Sequence, residues 1–384
     1  MDNKNVPIQS RLIKEYNEAS SIARFYGFQH ILSPEIKKTD LDSTKLYNPA
    51  FHPEEISALL RMYFEEKGIA LPQPLLLWLD RPLKGGRSKK RPNRLESKVI
   101  TMGSSKTITD CLSLRTCISV LNSLGFKDLE IRLNSVGDKE SASEFERKMN
   151  AFVKKSFNSF PPDLRQALKK DIFTLIREVG PEWKTFQTEC PKSIDFLSES
   201  SRNHFKEVLE FLEIMNFNYS IDFTLVGDPH LCSETIFSLA SEKNPKEILA
   251  TGIRINKLSK KLGHKKDISM VVFDINAKLK KPLRKVRQKS ETPDFYLIQF
   301  GPEAKLKSLL VIEELRKAGK TVEHSVAKDK LGSQIGIAEN SGAKYIILLG
   351  QKEALDNSVV LRNNSNRAQE IIPIPELASR LKKL

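Results

Sequence analysis

Apolar and polar residues alternate strictly at 129–133, where Leu129, Ile131 and Leu133 are separated by Glu130 and Arg132. That period of two predicts a strand with one buried face, placed to join two halves of one sheet. Asn134-Ser135-Val136-Gly137-Asp138 ends it, and Ser141 with Glu144 three positions on reads as a capping box for the acid-rich helix that follows. Upstream, Leu12, Tyr16, Ala19, Ala23 and Tyr26 recur at three- and four-residue spacing, which predicts an amphipathic helix over 8–26 closed by Gly27. A short strand at 28–32 comes next. Pro53-Glu54-Glu55 opens a second helix with acids at its positive end; Ile56, Leu59, Leu60 and Tyr63 form its face, and Gly68 ends it. Residues 75–79 read as a buried strand and 95–102 as the next, bringing Glu96, Lys98 and Ile100 to one face. A helix with Ile108, Cys111, Leu112, Leu121 and Leu124 then runs from Ser104 to Gly125.

Residues 145–217 are almost wholly helical in pattern, broken at Pro161-Pro162 and with a clear face at Phe205, Val208, Leu209 and Leu212. A strand is predicted at 219–226. Beyond residue 295 the rhythm changes: strands at 295–300, 321–326 and 344–349 alternate with a helix on Leu306, Leu309, Leu310 and Leu315 and another over 331–340. A closing pair at 359–361 and 370–372 and a last helix at 376–384 complete it. Such alternation predicts an α/β unit with a largely parallel sheet. The expected fold class is α/β (α+β), with a first domain over 1–289, a helical insertion in it at about 143–216, and an α/β domain over 290–384.

Composition adds a partner to this picture. The 384 residues carry a net charge of +15 at pH 7, which attracts polyanions, nucleic acid first among them. The charge is bunched. Residues 84–94 hold six basic residues and no acid, and 278–289 hold seven and no acid, around Pro282. Runs of one sign repel themselves unless a polyanion is near, so Lys84, Arg87, Lys89, Lys90, Arg91, Arg94, Lys280, Lys281, Arg284, Lys285 and Arg287 are the candidate RNA-binding residues. The cysteines Cys111, Cys117, Cys190 and Cys232 form no CxxC and have no paired histidine, so they read as core and no metal site is expected. No run approaches a membrane span and the first residues are polar, so no membrane association and a cytoplasmic location are expected.

Several segments, in order, resemble the histidyl-tRNA synthetase family: the strand-turn NSVGD, the segment CPKSIDFLSESSRNHFKEVLEFL, the TIF of LVGDPHLCSETIF, and LGSQIGIAENSGAKYIILLG. The last resembles the anticodon-binding domain shared by histidyl-, glycyl-, threonyl- and prolyl-tRNA synthetases. The resemblance implies a class II synthetase-like antiparallel sheet core with a helical insertion, the anticodon-binding domain behind it, and a homodimer.

It also implies site residues. Glu54 matches the glutamate of an RPEGT-like motif. Arg81 and Arg87 match the second class-defining motif, but Trp78 stands where its α-phosphate-binding arginine belongs and Asp80 replaces its glutamate. The residues that read the substrate's ammonium and imidazole fall at Glu96 and Ile100. In LVGDPHLCSETIF the arginine is Gly227 and the two tyrosines are Leu231 and Cys232, with a lone His230 nearby. ILATGIRINKL resembles a glycine-rich segment and keeps Gly252, Arg254 and Leu258. The third class motif, a glycine-rich strand and helix ending in an ATP-stacking arginine, has Val271 and Ile275 for glycines and Lys278 for the arginine.

The expected substrate-binding set is thus Glu54, Arg81, Arg87, Glu96 and Arg254, and no catalytic residue is assigned with Trp78, Gly227 and Lys278 degenerate. Loss of one transition-state donor commonly costs on the order of 10²–10³ in rate. The expectation is a synthetase-like protein that binds tRNA or other RNA with aminoacylation lost. The alternatives are a divergent active histidine-tRNA ligase using ATP and Mg²⁺, and a histidine-sensing regulatory subunit similar to that of ATP phosphoribosyltransferase.

Overall fold

A computed structural model describes residues 8–48, 51–80, 93–177, 188–228, 230–286 and 292–382. The basic positions Arg81, Lys84, Arg87, Lys89, Lys90, Arg91 and Arg287 lie outside the described residues.

The amino-terminal half builds β1 (Tyr16–Asn17), α1 (Glu18–Phe25), β2 (Gln29–His30), α2 (Lys38–Thr44), α3 (Pro53–Glu65), β3 (Leu75–Asp80), β4 (Arg94–Met102), α4 (Ile108–Ser123) and β5 (Leu129–Ser135). The insertion follows as α5 (Lys139–Ser156), α6 (Pro162–Leu168), α7 (Thr174–Arg177) and α8 (Glu199–Ile214). The chain then returns through β6 (Tyr219–Ile221), β7 (Ser233–Ser241), β8 (Asn244–Ile255), α9 (Leu258–Lys261), β9 (Met270–Lys278) and β10 (Lys285–Val286). Among the described residues these strands form an eight-stranded sheet in the order β2-β3-β4-β9-β8-β7-β5-β6, antiparallel except for the β2–β3 and β5–β6 pairs at its edges. The strand at 129–135 therefore lies one place in from an edge, not between two halves.

The sheet is covered on both faces. On one, α1, α4 and α8 pack over Trp78, Val99, Ile131, Leu133, Phe237 and Phe273. On the other, Ile56, Leu59, Leu60 and Tyr63 of α3 pack over Leu77, Leu79, Ile100, Ile253 and Val272. The insertion closes its own small core around Phe145, Met149, Leu164 and Phe173.

The carboxy-terminal part contributes β11 (Phe295–Gln299), α10 (Pro302–Lys317), β12 (Val322–His324), α11 (Leu331–Asn340), β13 (Tyr345–Leu349), α12 (Gln351–Leu355), β14 (Ser358–Asn363), β15 (Gln369–Pro373) and α13 (Ile374–Leu381). Its sheet runs β12-β11-β13-β14-β15, parallel over the first three strands and antiparallel over the last two. It is mixed where a largely parallel sheet was expected, because the closing pair is a hairpin.

Local chemistry accounts for the other differences. The helix expected over 8–26 begins only at Glu18: Leu12 bridges Ile31, with the Ile13 N–H donating to the His30 carbonyl at 2.8 Å, and Asn17 caps the shorter helix. The cap of α5 is Asp138, which accepts from the Ser141 N–H at 2.9 Å, while Glu144 pairs with Arg147 instead. A carboxylate at that end also faces the helix's positive pole. The strand at 219–226 stops at Ile221, where Asp222 accepts from the Thr224 N–H at 2.9 Å and turns the chain. In the segment aligned with the third class motif, Val271, Val272, Phe273 and Ile275 keep the whole of Met270–Lys278 in one strand, as branched and aromatic residues favour. The expected helix is absent from the described residues there, and β10 goes on to pair with β1.

The two sheets are joined by buried charge. Glu313 of α10 lies 2.7 Å from Arg115 of α4 and 2.8 Å from Arg316, and it accepts a hydrogen bond from Tyr26 of α1. Tyr26 also bonds Ser119 of α4 at 2.8 Å. Burial by itself would raise the Glu313 carboxyl, but hydrogen bonds from Arg316, the charge of Arg115 and the Tyr26 hydroxyl outweigh it and hold it at about 2. A carboxyl depressed in the folded state stabilises that state above its unfolded value, and the contribution fades as pH falls towards the folded value. No helix among the described residues is long and apolar enough to cross a membrane.

Glu313→Ala leaves Arg115 buried without its carboxylate and is expected to cost about 3–5 kcal/mol, read as a lowered urea midpoint. The less disruptive Glu313→Gln should differ from wild type at neutral pH, and the two should converge as pH falls from about 4.5 towards 2. A pH-independent gap between them would contradict this account.

Candidate ligand pocket and nucleic-acid surface

The pairing of β3 with β4, and of β4 with β9, decides which side chains meet. Lys98 stands opposite Leu79 on one side and Asp274 on the other, so these three share a face with Glu96, Ile100, Val272 and Asn276. Trp78 and Asp80, one residue out of phase with Leu79, project from the opposite face. There Trp78 is fully buried among Ala19, Ala23, Tyr26, Phe28 and Val99. Its indole N–H donates to Asp80 at 3.2 Å, and Asp80 also accepts from Ser97 at 2.9 Å and lies 3.2 Å from His30. Burial would raise the Asp80 carboxyl, but His30, Ser97 and Trp78 together hold it below its ordinary value. The tryptophan is thus a core residue held by its neighbours.

On the Lys98 face the sheet meets the start of α3. The Lys98 ammonium is buried between two carboxylates, 2.9 Å from Glu55 and 2.5 Å from Asp274. Beside it a cavity of about 20 Å³ is lined by Ser33, Glu55, Leu59, Leu79 and Asp80. That is room for about one water, against the roughly 300 Å³ or more of a ligand pocket. Further along the face, Leu231, Cys232, Ile236, Ile253 and Ile255 close into the apolar cluster under α3.

Gly227 has φ +58°, and a Cβ built on it would lie 2.7 Å from the Cys232 sulfur and 2.8 Å from Ile236. An arginine there would meet both strain and a filled space. Arg254 is fully buried on the helix-covered face, bound through Nε and Nη2 to Asp110, through Nη2 also to Thr109 and the Lys106 carbonyl, and through Nη1 to Ser269 and the Ser104 carbonyl. Burial opposes ionisation of Asp110, yet the charges of Arg254 and His204 keep its carboxyl at about 2. With its donors committed to the protein, Arg254 does not serve as the substrate ligand expected of it.

The remaining expected positions are scattered. Glu54 lies in the first turn of α3, its carboxylate 3.8 Å from His52. His52, Glu54 and Glu55 bring donor atoms within 4.8 Å of one another, but Glu55 is engaged by the Lys98 ammonium, a fixed competitor for any metal ion. Glu96 is half-buried and pairs with Arg94 at 3.3 Å, and Arg94 also donates to Asn276 at 2.6 Å. Lys278 is exposed at the end of β9, opposite Arg94. Lys280, Lys281, Arg284 and Lys285 are exposed beyond it; Arg284 lies 2.7 Å from Glu18 and Lys285 3.0 Å from Glu15. His230 is an exposed loop residue whose N–H is bonded to Asp228 at 2.8 Å.

Glu96 and Arg254 therefore face opposite sides of the sheet, and no single pocket gathers the expected substrate set from the described residues. The partners of Lys98 were not foreseen from sequence. The period-two pattern had put Lys98 between Glu96 and Ile100, and a lysine on an otherwise inward-facing row was the available signal. A larger cleft, about 1160 Å³, opens elsewhere, between α8 with the start of α4 and the β11–α10 loop around Phe300 and Pro302.

A family model described as the anticodon binding domain matches residues 294–384. Histidine–tRNA ligase of Lactococcus lactis subsp. cremoris (strain SK11) is 25% identical over 339 residues, spanning 83% of this chain and 76% of the relative. That of Halothermothrix orenii is 23% identical over 401 residues, spanning 95% and 94%. The crystal structure of apo S. aureus histidyl-tRNA synthetase superposes with a TM-score of 0.50 at 21% identity, covering 94% of this chain and 93% of that one, and so shares its fold. With the antiparallel sheet, the helical insertion and the carboxy-terminal mixed sheet in one order, the chain has the fold of that histidyl-tRNA synthetase, is similar to histidine–tRNA ligases along most of its length, and carries an anticodon-binding domain at its carboxy terminus.

Proposed function

We propose that this protein is a histidyl-tRNA synthetase-like scaffold that binds tRNA or another RNA and has lost aminoacylation. The observation that carries the reading is the Glu55–Lys98–Asp274 bridge. An internal ammonium fills the face on which a substrate ammonium would have to sit, and the space beside it holds about one water.

The phosphate-handling positions agree with this reading. Stabilising charge on an α-phosphate needs cations preorganised towards it. At the three positions aligned with the family's arginines stand a buried indole on the other face, a glycine with no room for a side chain, and a lysine at a strand end. A guanidinium's planar fork is not replaced by an ammonium. The described residues at these positions do not fit a bound ATP–Mg²⁺ complex.

RNA binding rests on different groups: the carboxy-terminal domain and the exposed cations Lys280, Lys281, Arg284 and Lys285, with the basic positions of 84–94 added by sequence. A homodimer and a cytoplasmic location go with the same reading.

Histidine-dependent ATP–pyrophosphate exchange should stay at background, and exchange above it would overturn the loss of activity. On the same sample tRNA should bind with a log–log salt slope of roughly 0.7–0.9 per neutralised phosphate, and Lys280→Ser with Lys281→Ser should lower that slope by the equivalent of up to about two phosphates. An unchanged slope would remove these lysines from the interface. Lys98→Met, which removes the ammonium between the Glu55 and Asp274 carboxylates, should lower stability by about 3–5 kcal/mol in urea titration. A neutral outcome would mean that the bridge does not hold the pocket closed.

A further inference from the structure

The connection between β8 and β9 carries charge that neither the fold nor the proposed RNA surface uses. Residues 257–267 hold Lys257, Lys260, Lys261, Lys265 and Lys266 against a single acid, Asp267. All five lysines are exposed. Among the described residues, Lys257, Lys265 and Lys266 have no carboxylate within salt-bridge distance; Lys260 lies 3.8 Å from Asp267, and Lys261 donates to the His230 carbonyl at 3.2 Å.

This is not a loose basic tail. Leu258 and Ser259 are buried, and the Ser259 hydroxyl donates to the Lys266 carbonyl at 2.8 Å while accepting from the Ile268 N–H at 2.9 Å. The His264 N–H donates to the Ser259 carbonyl at 3.0 Å, and Asp267 accepts from the Lys260 N–H at 3.1 Å. The loop is tied to itself at both ends, so its five lysines are carried on one closed turn of chain. Holding like charges on a closed loop costs free energy unless a polyanion meets them, and a preformed array binds without first being ordered.

An aromatic pair sits in the same place. The His264 imidazole stacks on Phe64 of α3, ring centroids 4.3 Å apart and planes 15° from parallel, and both residues are half-buried. Burial lowers the pKa of His264, with smaller opposing effects from Glu65 and Asp40, so at neutral pH it is an uncharged flat ring among lysines. Phosphate-binding cations around a stacking surface are what unpaired nucleic acid requires; a duplex offers its phosphates but keeps its base faces covered.

We propose that the 257–267 loop, with the Phe64–His264 stack, is a second nucleic-acid contact that takes an unpaired RNA segment, its phosphates on the lysines and a base on the ring pair. The site is separate from the cations beyond Lys278. The loop enters β9 at Met270 and the other cluster leaves it at Lys278, roughly 27 Å away at about 3.4 Å per residue. The inference rests on the RNA-binding reading above and adds to it a place and a kind of RNA.

The test uses the full chain with a short fluorescent oligouridine, an RNA duplex of similar length and tRNA, each titrated over a salt series. Wild type should bind the oligouridine more tightly than the duplex. Replacing Lys260, Lys261, Lys265 and Lys266 together by serine should weaken oligouridine binding at least about tenfold at low salt and flatten its salt slope by about 0.7 for each phosphate no longer neutralised. These side chains are exposed, so circular dichroism should be unchanged. His264→Ala should weaken binding about fivefold or more at an unchanged slope, the signature of a missing stack. Wild-type affinity in the lysine variant, or preference for the duplex, overturns the proposal; if tRNA binding and its loss in the Lys280/Lys281 variant persist, the general reading survives. No binding of any RNA removes both. Binding of polyglutamate in place of RNA would reassign the loop to an acidic protein partner.

Discussion

Register across the large sheet governs everything built on it. Because side chains alternate strictly along a strand, the pairing of Arg94 with Lys278 at one end and Met102 with Met270 at the other commits every residue of β4 and β9 to one face. The same pairing puts Lys98 against Asp274 and turns Trp78 and Arg254 the other way. A slip of one residue would bury Ser97 and Thr101 under α3 and throw Lys98 into the apolar helix face. The buried charges fix this choice as firmly as the hydrophobic pattern does, since each finds its partner in only one register.

Among the described residues, three buried cations divide the labour. Arg254 with Asp110 ties β8 to α4 beneath the sheet, Lys98 with Glu55 and Asp274 ties α3 to its other face, and Arg115 with Glu313 ties α4 to the carboxy-terminal unit. A buried pair is expensive to break and adds modest net stability when intact, so its stronger effect is on which arrangement is allowed. Around the central pair the apolar side chains Leu231, Cys232, Ile253 and Ile255 fill the space along the sheet. On this face α3 and the sheet close a second apolar core.

Cations left over from these pairs lie outside, at opposite ends of β9. Those beyond Lys278 sit on the segment that leads to the carboxy-terminal unit, while those of 257–267 crown a closed loop. The net charge of +15 is therefore not a uniform coat. It is gathered where the chain leaves the sheet, away from the covered faces, which suits a partner that follows the surface and does not enter a pocket.

Much of this was legible in the residues alone. Alternation at Leu129, Ile131 and Leu133, the proline and acids opening α3, and the Leu309–Leu315 face of α10 each reflect a period that a strand or helix imposes on its own sequence. That Trp78, Gly227 and Lys278 stand at the positions the resemblance gives to arginines was likewise visible as residue identities. Local chemistry was less legible: Asp138 took the cap expected of Ser141, and a bridge to Ile31 shortened the first helix, because these outcomes depend on competing partners. What each side chain faces was decided only by tertiary structure. Lys98, Glu55 and Asp274 lie 43 and 176 residues apart in sequence, and Arg254 and Asp110 lie 144 apart, so no local pattern could join them. Sequence determined the elements and the charges available; the register and the packing of distant strands determined which charges became core and which remained for a partner.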